Sequence, residues 1–353
     1  MLWKEEKTDM KTFLENLEAL SLARGTSGDE GAVKKLIYDE VIGYTDCVAK
    51  TDNAGNLIVF KKGKNKPKNR LMFSAHMDEV GFIITHIDEN GFLKFSNVGG
   101  IDSRVIIGKR LLVGENAIPG LLGSKAIHLV KEDEFKNPVK TDSLYIDIGA
   151  DSKEEAEKLV KLGDRAVFDS DFEKFGEDCV MGKALDDRAG CALLMELLKE
   201  EAEYDITVCF TTREEIGGNS AGNAAFTVDP DIAVVVEATS AADVPCVPGE
   251  KFVCKQGEGP VVSFRDNGTL YDMELYRFIM ELCKEKNIPA QTKHSICGFN
   301  DAKFIHQARG GIRPVAVSLP ARYIHSPYAS IRLSDAENTA ALLKILSTKL
   351  CEI

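Results

Sequence analysis

The sequence lacks the cysteine spacing of a structural zinc site or a redox centre. It contains no Cys-x-x-Cys pair, and its nine cysteines are scattered, with Cys246 and Cys254 the closest two. A zinc knuckle or a dithiol redox site would require such a pair. The pattern favours reduced cysteines in the protein core, and we therefore expect a cytoplasmic location.

Long apolar runs and an excess of positive charge are also missing. No run reaches the length of a membrane span, and residues 1–20 favour an amphipathic helix over a signal peptide. The formal net charge of −12 argues against a nucleic-acid partner and against docking on an anionic membrane. The 353 residues, 44% hydrophobic and 28% charged, predict a globular protein of two domains.

Three short apolar runs are each followed by residues that can bind a metal. The runs are 71–75 before His76, 206–210 before Glu214 and Glu215, and 232–236 before Glu237. Continuous apolar runs of this length are typical of strands that are buried on both faces, as in a parallel sheet. Ligands bind beyond the carboxyl ends of such strands. The sequence thus predicts one site built from distant segments.

The fold class predicted is α/β, with a mainly parallel mixed sheet flanked by helices and an inserted domain that resembles a small β-barrel. Helices are predicted at 186–201, 271–287 and 335–350, and Ser27 is a candidate N-cap of an earlier helix. Short alternating strands are predicted at 81–87, 91–95, 105–113 and 126–130. We therefore assign residues 1–80 and 167–353 to a discontinuous catalytic domain and 81–166 to the insertion.

Each candidate site residue also has an ordinary structural interpretation. His76 and Asp78 fit a metal-bound imidazole and the carboxylate that orients it, but also a surface histidine beside an aspartate. Asp186 opens a predicted helix, so it is either a bridge between two cations or a helix cap. In the first case, Arg188 would pair with Asp187 or another carboxylate.

The adjacent glutamates Glu214 and Glu215 precede two glycines that allow a sharp turn. We assign Glu215 to a metal and Glu214 to the attacking water as general base, whereas the alternative is two exposed loop residues. Glu237 is a metal ligand or a solvated acid at a strand end. His325 follows another apolar run, 315–320, and would supply a second imidazole.

Together these residues form a donor set for two metal ions. Zinc or cobalt suits imidazole combined with carboxylate, whereas magnesium prefers oxygen ligands and retained water. Two such ions share a hydroxide and stabilise a tetrahedral intermediate.

The sequence resembles the tetrahedral (TET-type) aminopeptidases, a family of dinuclear-metal enzymes with members called glutamyl aminopeptidase, deblocking aminopeptidase and cellulase M. The matching strings are GTSGDE at 25–30, DNAGNLI at 52–58, SAHMDEVGF at 74–82, ALDDRAG at 184–190, TTREEIGG at 211–218 and RYIHSP at 322–327. They cover nearly the whole chain in order.

The resemblance implies a role for each candidate residue. One metal would be held by His76, Asp186 and Glu237, and the other by Asp186, Glu215 and His325. Glu214 would be the base, and Asp78 would orient His76. The resemblance also implies a dimerisation role for the insertion and a homo-oligomer, either a dimer or a dodecamer.

Two departures from the family pattern concern the site. Glu237 stands where the family usually has aspartate, and residues 298–302 read GFNDA where the family tends to have GTDA. The longer side chain alters the geometry expected at one metal, and the loop difference prevents transfer of substrate preference.

Four functions are compatible with these features. The favoured function is a metalloaminopeptidase acting on peptide substrates. A metal-dependent deacylase or carboxypeptidase-like amidohydrolase is the first alternative, since Glu237 is unusual. An endoglucanase could use paired carboxylates but would not need the histidines. An inactive assembly protein would keep the fold without the chemistry.

Overall fold

The computed structural model describes residues 12–132 and 136–353 of the chain. The predicted N-terminal amphipathic helix lies partly outside these residues, and the described part is helical at Phe13–Leu22. The other helices are Gly31–Val41, Lys153–Leu159, Leu185–Lys199, Ser220–Val228, Met273–Lys286, Ala302–Ile305 and Leu333–Glu352. The three helices predicted after residue 167 are confirmed to within two residues at each end.

The strands belong to one large mixed sheet and one closed barrel. In chain order, the strands are β1 Cys47–Thr51, β2 Leu57–Lys61, β3 Leu71–His76, β4 Gly81–Ile87, β5 Leu93–Val98, β6 Arg110–Val113, β7 Ile118–Gly123, β8 Tyr145–Asp147, β9 Arg165–Phe168, β10 Glu173–Phe175, β11 Cys179–Gly182, β12 Ile206–Thr211, β13 Ile232–Ser240, β14 Val261–Val262, β15 Gln291–Thr292, β16 Arg313–Arg322 and β17 Ala329–Arg332. The large sheet has the order β1-β2-β12-β3-β13-β16-β17-β11-β10, and the short β14 and β15 attach beside β16.

The centre of the large sheet is parallel, as predicted. Strand β3 pairs in parallel with β12 and β13, and β13 pairs in parallel with β16. Alternate residues of β3 pack on opposite sides: Leu71 and Phe73 join one apolar core, and Met72 joins another. Helices cover both faces, so these strands need continuous apolar sequence rather than alternation.

The inserted strands close into a barrel of the order β4-β5-β8-β7-β6-β9. Its core contains Phe82, whose ring meets the rings of Phe95 and Phe168 edge to face, with centroids 5.0 and 5.5 Å away. The barrel confirms the predicted fold class. Division of the chain at 80/81 and 166/167 stays a prediction, because strand bounds do not define a unit that folds independently.

Two strands predicted for the insertion are wrong in detail. Residues 126–130 contain a 3₁₀ turn at Ile127–Leu129 instead of a strand. The predicted strand 105–113 is reduced to β6, because Gly108 has a left-handed backbone with φ of 75° and interrupts it. The strand β7 was missed, since Pro119 and two glycines within it are residues that usually indicate a turn.

Ser27 is not the N-cap that the sequence suggested. The helix Gly31–Val41 begins after Glu30 and has no side-chain cap. Ser27 lies in a turn in which the Asp29 amide donates to the Thr26 carbonyl at 2.7 Å, and Gly28 has a φ of 85°. Ser27 precedes the actual N-cap, Glu30, by three residues, and its hydroxyl donates to the Asp78 carboxylate.

Within the described residues, no helix combines the length and the apolar character that crossing a membrane would require.

Candidate metal centre and active site

The carboxyl ends of the central strands bring the candidate residues to one edge of the sheet. His76 is the last residue of β3 and pairs with Thr211 at the end of β12. Glu237 lies inside β13, which continues to Ser240, so the prediction that it directly follows a strand is wrong. His325 follows β16 in a loop and has a left-handed backbone, with φ of 59°. The loop turns its imidazole back toward the sheet edge.

Asp186 lies between the two histidines. Its Oδ1 atom is 3.4 Å from His76 Nε2, and its Oδ2 atom is 3.4 Å from His325 Nε2. Glu237 Oε1 approaches His76 Nε2 to 3.3 Å, and Glu215 Oε2 approaches His325 Nε2 to 3.2 Å. The five predicted metal ligands are therefore brought together, in two groups that share Asp186.

Asp186 does not cap the helix that it opens. The backbone of Asp186 and Asp187 is not helical, and the helix-end amide of Gly190 is satisfied by Asp187 Oδ1 at 3.1 Å. Asp187, and not Asp186, therefore caps this helix. Asp186 is left with its carboxylate directed at the histidines.

Asp187 is a potential ligand that the sequence analysis missed. Its carboxylate lies with His76 and Glu237 in a group in which the possible ligand atoms are within 4.8 Å of one another. Its Oδ2 atom is buried and has no hydrogen-bond partner. The signal in the sequence is the pair of adjacent aspartates, of which the sequence analysis treats Asp187 only as a partner for Arg188.

The donor set fits a divalent cation. Asp186 Oδ1 is buried without a hydrogen-bond partner, although His76 Nε2 lies close to it. His76, Asp186, Glu214 and Glu237 are each at most 8% exposed. Isolated charge is costly to bury, so several carboxylates in one enclosed site require positive charge beside them. Imidazole with carboxylate is the ligand combination of zinc and similar ions.

Burial and neighbouring charges shift the pKa values of the side chains in this site strongly. Burial raises the pKa of Glu237 to about 8, although His76 opposes the shift. Burial would lower the pKa of His325, but its contacts with Asp186 and Glu215 raise it to about 11. The pKa of Asp186 is held below its usual range by both histidines despite its burial. Opposed shifts of this kind are typical of functional sites.

Asp78 connects His76 to the segment that carries the two glutamates. Its Oδ1 atom is 3.4 Å from His76 Nδ1, and its backbone carbonyl is closer, at 3.1 Å from the same nitrogen. The carboxylate accepts hydrogen bonds from the amides of Glu214 at 3.0 Å and Glu215 at 3.1 Å. The prediction that the Asp78 carboxylate would be near His76 agrees with this geometry, although the carbonyl makes the shorter contact.

A turn after β12 allows both glutamates to approach the site. Arg213 and Gly217 have left-handed backbones, with φ of 62° and 67°. The Gly217 amide donates to the Glu214 carbonyl at 2.7 Å and so closes the turn. Burial raises the pKa of Glu214 well above its usual value, and the nearby charge of His76 partly opposes this shift. A carboxylate with a raised pKa accepts a proton readily.

Arg188 pairs with Glu79 and not with Asp187. Arg188 Nη2 is 3.3 Å from Glu79 Oε1, and Lys183 Nζ contacts both Glu79 oxygens, at 2.7 and 2.9 Å. All three side chains are at most 3% exposed. The alternative that Arg188 would pair with a carboxylate other than Asp187 therefore holds. The sequence did not identify Glu79 as that partner, because Glu79 lies far from Lys183 and Arg188 along the chain.

A buried cluster of imidazoles and carboxylates at the carboxyl edge of an α/β sheet is a candidate site for a divalent metal ion. The sequence profile of the M42 glutamyl aminopeptidase family matches residues 55–342. The lysyl aminopeptidase of Pyrococcus furiosus is 32% identical over 336 residues, which cover 92% of this chain and 94% of the relative.

Two solved structures are similar over nearly the whole chain. The TET aminopeptidase of a marine-sediment Thaumarchaeota archaeon has a TM-score of 0.91 and 34% identity, covering 96% of each chain. The TET1 peptidase of Pyrococcus horikoshii, which can assemble into a tetrahedron or a large octahedral shell, has a TM-score of 0.84 and 33% identity, covering 95% of this chain and 99% of the other. The protein belongs to the M42 glutamyl aminopeptidase family and is a peptide hydrolase.

Proposed function

We propose that the protein is an aminopeptidase that removes N-terminal residues from peptides with two divalent ions, zinc or cobalt. His76, Asp186 and Glu237 would hold one ion, and Asp186, Glu215 and His325 the other. The observation that carries the proposal is the position of Asp186, whose two oxygens face two different histidines at 3.4 Å. A bridging carboxylate is the simplest use of this geometry.

The bound ions would supply an activated water and stabilise the negative charge of the tetrahedral transition state. Glu214 is the proposed general base: it takes a proton from the attacking water and returns it to the leaving amine. Its place in the site supports this role, since its side chain is buried beside the cluster and its amide is held by Asp78 Oδ1 at 3.0 Å. Asp78 positions His76 and the amides of Glu214 and Glu215, because its buried carboxylate contacts all three.

The substitution Glu214→Gln tests the assignment of the base. General acid–base catalysis contributes roughly 100- to 10,000-fold, so turnover of an aminoacyl-anilide should fall by about this factor. The bound metal should remain at two equivalents per chain, because Glu214 is not a proposed ligand. Glu196→Gln, the same change near the far end of the helix that Asp186 opens, should keep its activity. A fully active Glu214→Gln variant would refute the assignment.

A substrate panel separates this function from the alternatives. We expect hydrolysis of aminoacyl-anilides, loss of that activity on treatment with a chelator, and little hydrolysis of N-acyl amino acids. A preference for N-acyl amino acids would favour the deacylase instead. Cellulose hydrolysis that survives metal removal would favour the endoglucanase, and failure to bind two equivalents of metal would favour the inactive assembly protein.

We further propose a cytoplasmic homo-oligomer in which the barrel forms the dimer contact. Leu121, Ile127 and Leu129 of the barrel segment are 50 to 72% exposed and provide apolar surface for such a contact. The assembly of the Pyrococcus horikoshii peptidase supports a particle larger than a dimer. Light scattering of the purified protein distinguishes a dimer from a dodecamer, and a monomer would contradict the proposal.

A further inference from the structure

Asp78 receives a hydrogen bond from a turn that precedes the helix Gly31–Val41, far from the strand ends along the chain. The Ser27 hydroxyl donates to Asp78 Oδ2 at 2.5 Å, on the oxygen that also accepts from the Glu215 amide at 3.1 Å. Ser27 is 2% exposed, and Asp78 is fully buried. A buried hydroxyl that donates to a carboxylate makes a charge-assisted hydrogen bond, which is stronger than one between neutral groups.

The segment that carries Ser27 is fixed against the same loops that carry the site. On one side, the Glu79 amide donates to the Gly25 carbonyl at 2.9 Å, and the Gly25 amide donates to Glu79 Oε1 at 3.1 Å. On the other side, Glu30 Oε1 accepts from the amides of Gly28 at 2.7 Å and Arg213 at 3.2 Å. The turn therefore contacts both the loop after β3 and the loop after β12.

The backbone of the turn that carries Ser27 is closed by its own hydrogen bond. Gly28 adopts a φ of 85° in the third position of the turn, a conformation that favours glycine, and the Asp29 amide closes the turn on the Thr26 carbonyl. The side chain of Ser27 is thus held in place by backbone that is itself hydrogen-bonded. It contributes no ligand atom, and it reaches the candidate metal centre only through Asp78.

We propose that Ser27 is a positioning residue of the metal centre, which holds the Asp78 carboxylate where it orients His76 and the amides of Glu214 and Glu215. The inference rests on the proposed two-metal function, because it assigns Ser27 to the support of those ligands. Residues that support a metal ligand through a hydrogen bond typically change metal affinity or activity by about 10- to 100-fold when they are removed.

The test compares Ser27→Ala with Ser21→Ala. Ser21 is also fully buried, and its hydroxyl donates to the Lys183 carbonyl at 2.7 Å rather than to a carboxylate of the cluster. Metal-free protein is titrated with zinc in competition with a chromophoric chelator, and kcat and KM are measured on an aminoacyl-anilide. Thermal unfolding of the metal-free variants measures the structural effect of losing one buried hydrogen bond.

Ser27→Ala should weaken zinc binding by about 10- to 100-fold and lower kcat more than it raises KM, while Ser21→Ala keeps wild-type zinc affinity. If Ser27→Ala does not fold, Ser27→Cys replaces it, because a thiol has similar shape but donates weakly. Zinc affinity equal to that of the wild type in the folded variant would overturn the proposal. Failure of the proposed function is distinguishable, since the wild type itself would then not bind two equivalents of zinc or would not hydrolyse the anilide.

Discussion

Asp186 Oδ2 lies 3.4 Å from His325 Nε2, although Asp186 is at the start of the helix Leu185–Lys199 and His325 is in the loop after β16. The other oxygen of Asp186 has the same separation from His76 Nε2. This symmetry comes from the parallel sheet, which places His76 at the end of β3, and from the loop after β16, which returns His325 to the same edge.

Shortening or neutralising Glu237 should have different effects on metal binding. Glu237 Oε1 lies 3.3 Å from His76 Nε2, and Glu237→Asp keeps a negative charge on this side of His76. Its zinc affinity should therefore stay within about tenfold of the wild type. Glu237→Gln removes a charge, and a charge pair at about 4 Å contributes on the order of 4 kcal/mol at an effective dielectric constant of 20. Its zinc affinity should therefore fall by at least about 100-fold. Chelator competition measures both variants, and unchanged binding by Glu237→Gln would be inconsistent with a ligand role.

The buried pair of Glu79 and Lys183 should matter for stability. Removing one partner of a buried ion pair typically destabilises a protein by about 3–5 kcal/mol, because the remaining charge is uncompensated. Glu79→Gln would leave the buried charges of both Lys183 and Arg188 without their carboxylate partner. Urea denaturation of the metal-free protein should show a loss of about that size.

The control for this prediction is an exposed ion pair. In Asp39→Asn, the lost partner is Lys35, and the two side chains are 52 and 73% exposed. Exposed pairs contribute about 0–1 kcal/mol. If Glu79→Gln costs no more free energy of unfolding than Asp39→Asn, the buried cluster does not stabilise the fold in the way proposed.

The raised pKa of the Asp301 carboxyl group leads us to expect that the stability of the protein depends on pH. Burial raises its pKa from 3.8 to about 6, although the Thr211 hydroxyl donates to its Oδ2 atom at 2.6 Å and opposes the shift. Between these values, the folded protein binds more protons at this site than the unfolded chain does. Its contribution to stability is therefore present below about pH 4 and is lost as the pH rises through about 6.

Asp301→Asn removes this titration and keeps an acceptor for Thr211. In metal-free protein, the stability of the wild type relative to the variant should fall by up to about 3 kcal/mol from pH 4 to pH 7. Urea denaturation at several pH values measures the difference. A difference that does not change with pH would show that Asp301 does not titrate in this range.

The sequence was most informative where a pattern is local. Continuous apolar residues predicted β3, β12 and β13, and the same runs pointed to His76, Glu215 and Glu237. Helix periodicity predicted the helix Leu333–Glu352 to within two residues. The roles of Asp186 and His325 depended on family resemblance, because a carboxylate at a helix start or a histidine in a loop is not distinctive by itself.

Contacts between distant segments could not be predicted in the same way. The pairing of Glu79 with Lys183 and the bond from Ser27 to Asp78 join residues that share no local pattern. Ser27 even carried a misleading local signal, since a serine before a predicted helix usually indicates an N-cap. In the barrel, β7 was missed because its proline and glycines are common in turns, and pairing with neighbouring strands determines its conformation.

Anomalous diffraction at the zinc absorption edge, from crystals of the zinc-loaded protein, tests the central claim most directly. We expect two peaks per chain, about 3.5–4 Å apart, with Asp186 between them, His76 and Glu237 beside one peak, and Glu215 and His325 beside the other. A single peak, or peaks away from these side chains, would contradict the two-metal centre.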